Sequence, residues 1–354
     1  MMTDSLFETM TETAAFDGQL AKLIKLKNTR GMSITLMDIG ATWLSCILCI
    51  NGKPREVVLG VTSMSDFQKQ SVYLGATVGR YANRIALGQF AINGEYFQLD
   101  TNQTGNTLHG GSIGFDKRRW DIVEQTENSV LFSLISEAGD QGFPGQLEVS
   151  VLYQLTDQNQ VIIRYQARTD KATPVNLTNH AYFNLDGAES GNDCKQHALY
   201  LNADNYLPID KVGIPLGELA SVTDTSFDFR QRKLIKQDFL VDAQQQSAKG
   251  YDHAYLLNDN CQNGACAAQV YSADKQLSLK VFTDKPAIQL YTGNWLAGTP
   301  NRSGGEYQDY AGLALETQFL PDSPNHCNWP QPSSILDPKD KYSYQTIYEF
   351  TVQS

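Results

Sequence analysis

What most restricts this chain is its punctuation. Along 354 residues, short stretches of apolar or alternating character recur at 33–39, 42–50, 90–99, 130–134, 147–155, 161–167, 199–201, 277–282, 287–291, 311–317 and 342–350. Turn-forming residues fall between them: Asn51-Gly52, Asn93-Gly94, Asp157-Gln158-Asn159, Asp186-Gly187 and Asp274-Lys275. Many short strands at this spacing predict a sandwich or barrel, and strands joined without crossover helices pair antiparallel. The Asn93-Gly94 pair, set between Phe90-Ala91-Ile92 and Tyr96-Phe97-Gln98-Leu99, reads as a tight hairpin because both central turn positions favour positive φ. Helical periodicity is confined to 65–71 and 237–248. The fold class expected is therefore all-β, a large antiparallel β-sandwich.

The length exceeds that of a usual single core, yet there is no internal repeat and no Pro/Ser-rich linker, so residues 21–354 are expected to form one domain. Residues 1–20 are polar and are expected to be a poorly ordered tail. Hydrophobic residues at 41% against 19% charged, with 17 Tyr and 15 Phe, supply enough apolar surface for a sizeable core. The net charge of −11, with basic clusters only at 117–119 and 230–236, argues against nucleic acid or an anionic membrane as partner. The first 30 residues carry Asp4, Glu8, Glu12 and Asp17 rather than a basic start and apolar core, and no run of 18 apolar residues occurs, so a cytoplasmic location is expected. In such a compartment the six cysteines stay thiols. Cys46 and Cys49 match a C-x-x-C pattern, but they sit in an apolar run with no second pair at metal spacing and read as core residues.

Six places hold polar groups where chemistry is plausible. In Asn179-His180-Ala181-Tyr182-Phe183-Asn184-Leu185, strand alternation puts His180 and Tyr182 on one face. Histidine alone titrates near neutrality without perturbation. Asn83 and Arg84, in Gly79-Arg80-Tyr81-Ala82-Asn83-Arg84-Ile85, offer planar donors suited to hydroxyls or carboxylates, and no phosphate-loop pattern accompanies them. His109 precedes Gly110-Gly111, where backbone can turn sharply against a ligand. Of the pair Asp252-His253, a strand lets only one face a ligand, and Asp252 is the one favoured; Gln289 is a polar amide inside an apolar strand that needs partners. In Leu313-Ala314-Leu315-Glu316-Thr317-Gln318, Glu316 shares a face with Ala314 and Gln318, and a carboxylate in such a strand is costly unless paired or used.

Taken in order, Gly79 to Ile85, Leu108-His109-Gly110-Gly111, Asn179 to Leu185 and Leu315-Glu316-Thr317-Gln318 resemble the aldose 1-epimerases, or galactose mutarotases. Gly142-Phe143-Pro144-Gly145 and Phe227-Asp228-Phe229-Arg230 support the likeness, which runs from about residue 30 to the C-terminus. The resemblance implies a galactose mutarotase-like supersandwich, a free aldohexose such as glucose or galactose as substrate, no cofactor and no metal, and a monomer or homodimer. It implies Glu316 as general base and His180 as general acid, with Asn83, Arg84, His109, Tyr182, Asp252 and Gln289 lining the sugar site. Glu316 would then need to be ionised and His180 protonated, with Asp252 and Glu316 itself offsetting the cost of burying the imidazolium. Thr223-Asp224-Thr225-Ser226 and Trp329-Pro330 depart from the family pattern outside this set. A non-catalytic sugar-binding protein on the same fold, a sugar-phosphate epimerase using Arg80 and Arg84, and a glycosidase using Asp252 and Glu316 are the competing readings.

Overall fold

The computed structural model describes residues 2–353, with side chains from residue 5 onward. A nine-stranded antiparallel sheet runs in the order Asp121–Gln125, Ser129–Ser136, Leu147–Leu155, Gln160–Thr169, Tyr342–Val352, Leu277–Thr283, Ala268–Tyr271, Ala198–Leu201, Lys233–Leu234. A six-stranded sheet runs Tyr182–Phe183, Leu313–Gln318, Ala287–Tyr291, Asp252–Leu256, Asn205–Tyr206, Ala220–Ser221. A third, four-stranded sheet is formed by Leu23–Lys27, Ser33–Met37, Thr42–Ile50 and Lys53–Glu56. All three contribute to one buried apolar cluster, with Ile163 and Tyr348 from the first, Leu313 and Leu315 from the second, and Ile34 and Trp43 from the third. Trp43 sits at their meeting point, edge-on to Phe183 and Tyr348 at 5.7 and 5.5 Å.

Alternation explains which side of each strand faces this core. In Gln160–Thr169, Val161, Ile163, Tyr165 and Ala167 are buried while Arg164, Gln166 and Arg168 are exposed. Leu313–Gln318 differs, being buried on both faces. Its Leu313 and Leu315 enter the core, so Ala314, Glu316 and Gln318 must be covered from the other side. Ala314 packs in a second apolar cluster with Leu44, Leu59 and Leu296, and Glu316 lines a cavity together with Asn83, Arg84 and His109. The hairpin forms as its Asn-Gly turn requires, with Gln89–Ile92 paired to Glu95–Gln98 and Asn93 and Gly94 at φ 51° and 83°.

Three local expectations need correction. The 179–185 stretch is two short bridges rather than one strand: Thr178–Asn179 pairs with 77–78, and Tyr182–Phe183 pairs with 313–314. The break comes from Asn179, whose side chain accepts from the Ala181 N–H at 3.0 Å and donates to the Gly75 carbonyl at 2.7 Å, taking the backbone out of the ladder. Cys46 is buried, but Cys49, three residues on and so on the other face, is exposed; only the first is a core cysteine. Residues Met2–Thr11, in the stretch expected to be poorly ordered, form a helix. Its Met10 is buried with Met64 and Phe67, and the Thr9 hydroxyl donates to the Thr62 carbonyl. The four-residue spacing of Leu6 and Met10 puts both on the packed side.

Candidate active site

The strand register assembles the floor. Glu316 lies opposite Gln289, and Gln289 opposite Ala254; Ala314 lies opposite both Tyr182 and Tyr291, and Tyr291 opposite Asp252. Cross-strand partners share a face, so Tyr182, Glu316, Gln289, Tyr291 and Asp252 all point away from the core. Above them is a cavity of about 260 Å³ lined by Tyr73, Asn83, Arg84, Gln103, His109, His180, Tyr182, Asp252, Tyr291, Trp295 and Glu316, among others. That volume suits one small ligand.

Seven of the eight residues singled out from the sequence line this cavity. Gln289 does not. It lies one layer down, 2% exposed, and donates to the Asp252 carboxylate at 2.6 Å while Gln318 donates to it at 3.4 Å. His253 is fully buried on the opposite face and accepts the Asp252 N–H at 3.1 Å. Arg80 does not reach the cavity. Its guanidinium is buried and donates to the carbonyls of Pro144, Gly145 and Ser136, so it braces loops. Sequence reasoning missed Tyr73, Gln103, Tyr291 and Trp295, of which only Tyr291 carries a signal, lying two residues from Gln289 on the same strand face.

Arg84 is held from three sides. Its Nε donates to Gln103 at 2.8 Å, its Nη2 lies 3.6 Å from the Asp252 carboxylate, and its guanidinium rests on Gly213. A Cβ at Gly213 would come within 2.6 Å of Arg84 Cζ, so only glycine leaves the arginine where it is. Asn83 and His109 both have left-handed backbone, φ 66° and 50°. Their loops are laced together: the His109 N–H donates to the Asn83 carbonyl, and the Asn83 N–H donates to His109 Nδ1, both at 3.1 Å. The second bond fixes the tautomer. With Nδ1 accepting, His109 Nε2 carries the proton and presents an N–H to the cavity.

His180 Nε2 and Glu316 Oε1 are 3.6 Å apart, and both side chains are almost wholly buried. Burial pushes the Glu316 carboxyl up to about 8, reinforced by the Asp252 charge and opposed by Arg84. Burial likewise pulls the His180 imidazole down to about 4, with Asp252 opposing. The neighbouring carboxylates therefore do not offset desolvation of the imidazolium as expected from the sequence. At neutral pH the pair holds one proton, on the carboxyl. Moving that proton to His180 makes an ion pair with its charges 3.6 Å apart, whose mutual attraction opposes the cost of burying both charges. Glu316 Oε2 and His180 Nδ1 have no hydrogen-bond partner among the described residues.

His109, His180 and Glu316 place one nitrogen or oxygen each within 4.8 Å of the others, a spacing that a metal ion could bridge. The chemistry fits poorly, because the His109 nitrogen facing the cavity is an N–H donor and has no lone pair to give. A larger hollow of about 1190 Å³ lies elsewhere, near the N-terminal helix, lined among others by Leu6, Ile47, Glu56 and Arg302. Two of its charges are already engaged: Glu56 accepts from Ser45 and the Cys46 N–H, and Arg302 donates to the carbonyls of Leu44 and Val58.

Comparison with known proteins gives a consistent result. The profile of the aldose 1-epimerase family matches residues 22–349. The chain is 52% identical over 344 residues to an aldose 1-epimerase of Escherichia coli K12, covering 97% of this chain and 99% of that one. It is 41% identical over 305 residues to the galactose mutarotase of Homo sapiens, covering 85% of each. Among solved structures, a galactose 1-epimerase from Lactobacillus acidophilus NCFM superposes with a TM-score of 0.82 at 31% identity, covering 96% of both chains. An aldose epimerase homologue from C. elegans superposes with a TM-score of 0.85 at 30% identity, covering 94% of this chain and all of that one.

Proposed function

The chain belongs to the aldose 1-epimerase family, and from that footing we propose that it interconverts the α- and β-anomers of free aldohexoses such as glucose and galactose, with Glu316 as general base and His180 as general acid. The observation that carries the roles is the buried carboxyl–imidazole pair, 3.6 Å apart at the floor of a cavity of one-sugar size. Anomer exchange needs the C1 hydroxyl proton removed while the ring oxygen gains one, so that the C1–O5 bond opens to an aldehyde. Sugar binding supplies hydrogen bonds that favour the ionised pair, and the proton resting on Glu316 passes to His180. Glu316 then accepts the O1 proton as His180 donates to O5. Rotation about C1–C2 and return of the two protons closes the other anomer, so protons balance over the cycle.

The surrounding groups fit a neutral, hydroxyl-rich ligand. Asn83, the Nε2–H of His109, Arg84 and Asp252 offer donors and acceptors in fixed positions, and the Tyr182 ring provides an apolar face. Gln289 serves the site by orienting Asp252. A sugar phosphate fits less well, since among the described residues Arg84 is the one arginine lining the cavity and is already engaged by Gln103 and Asp252. A reaction of this kind requires no cofactor. We read residues 21–354 as one catalytic domain working in the cytoplasm as a monomer or homodimer; the family match over 22–349 supports the first part. Among the described residues, no helix is long and apolar enough to cross a membrane.

Polarimetry of freshly dissolved α-glucose or α-galactose tests the reading. Glu316→Gln and His180→Asn should each lower turnover about 10²–10⁴-fold with a smaller change in sugar binding. Near wild-type rates in either variant would show the roles to be misassigned.

A further inference from the structure

Tyr73 is the residue of the cavity that local physics least explains. Its backbone is left-handed, φ 59°, a conformation that is a true outlier for a bulky side chain. Such strain persists only where the surroundings over-determine it, and here they do. Gln70, which ends the helix Met64–Lys69, accepts through Oε1 from the N–H groups of Val72 at 3.0 Å and Leu74 at 3.4 Å, clasping the turn on both sides of Tyr73. The Tyr73 carbonyl accepts from Ala76 at 3.0 Å. The same turn is then bonded to the backbone of His180 in both directions: the Gly75 N–H donates to the His180 carbonyl at 3.0 Å, and the His180 N–H donates to the Ala76 carbonyl at 2.8 Å.

The strain sends the ring to one place. Its centroid lies 4.6 Å from that of His109, edge-on, and 5.7 Å from that of His180. The two imidazoles are themselves edge-to-face at 5.2 Å, so the three rings form one packed wall of the cavity. We propose that Tyr73 is a positioning residue of the epimerase site, its ring fixing the planes of His109 and His180 and keeping water off His180, with Gln70 as the clasp that holds it there. This rests on the reading of His180 as the acid of the reaction.

Two consequences separate this role from simple wall-building. Removing the ring frees His180 to tilt away from the sugar ring oxygen, which slows turnover. It also hydrates an imidazole whose charge is disfavoured chiefly by burial, so the histidine should protonate at higher pH than in the intact protein. The groups facing His180 that would share in that titration are Glu316 at 3.6 Å, Asp252, His109 and Arg84, together with the hydroxyls of Tyr182 and Tyr291.

The test uses Tyr73→Asn, which removes the ring while asparagine tolerates the left-handed backbone, and Tyr73→Phe, which keeps the ring. Turnover is followed by polarimetry, and the titration of His180 by proton–nitrogen NMR on the sugar-free protein. Tyr73→Asn should lose about tenfold to a hundredfold in kcat/KM and titrate His180 nearer its ordinary value, while Tyr73→Phe, which keeps the ring, should depart from wild type much less than Tyr73→Asn on both readouts. Tyr73→Asn within about twofold of wild type, or with His180 titrating unchanged, overturns the proposal. Should the wild-type protein prove inactive on aldoses, the functional reading fails, and the NMR arm still decides whether Tyr73 shields His180.

Discussion

The proton count of the His180–Glu316 pair makes a quantitative prediction for the pH profile of kcat/KM, which reports groups in the free enzyme. Between about 4 and about 8 the pair holds one proton, resting on Glu316. The sign follows from the directions of the two displacements. Below about 4 the pair takes a second proton and the base is lost; above about 8 it gives up its only proton and the acid is lost. Activity should therefore be flat across the neutral range and fall about tenfold per pH unit beyond each edge. Two unperturbed groups would give a much narrower window, from about 4.3 to about 6.5. Polarimetry with the spontaneous rate subtracted at each pH distinguishes these shapes. A basic limb near 6.5 would refute the reasoning, because it would mean that burial does not set the state of the pair. The two edges belong to the pair and not to either residue alone.

Other expectations follow from the same geometry. Because the folded-state value of Glu316 is raised, the stability it lends is complete below its unfolded value and is lost as pH rises through about 8; Glu316→Gln, which cannot ionise, should therefore gain in Tm relative to wild type as pH is raised from 5 to 9, measured by calorimetry. An unchanged Tm gap over that range would contradict the buried, neutral carboxyl. Gln289→Leu should raise KM more than it lowers kcat, since it frees the Asp252 carboxylate without touching the reacting pair. Glucose 6-phosphate should be turned over less efficiently than glucose, as Arg84 is already shared between Gln103 and Asp252.

The fold was legible because burial here follows alternation. Segments such as 147–155 and 161–167 appear as strands, with their alternate apolar residues buried. Glu316 stood out for the same reason, as a charge on a strand whose neighbours are apolar. What the sequence hid is long-range or loop-borne. Nothing local says that the C-terminal strand Tyr342–Val352 lies between Gln160–Thr169 and Leu277–Thr283. Tyr73 and Gln103 sit in loops, where no period marks a face, and their importance depends on what they are folded against. The break at His180 was masked by an apolar run that reads as strand, because the competing bonds come from a single asparagine side chain. The direction of the His180 shift was missed for a related cause: a nearby carboxylate can be read from sequence, but the completeness of burial cannot.

The most direct measurement is a crystal structure with galactose or glucose bound. The sugar should lie in the cavity over Leu313–Gln318 with O1 at Glu316 and O5 at His180, each within about 2.6–3.2 Å. A pyranose seated in the other hollow, or one whose anomeric centre touches only one of the two side chains, would contradict the account.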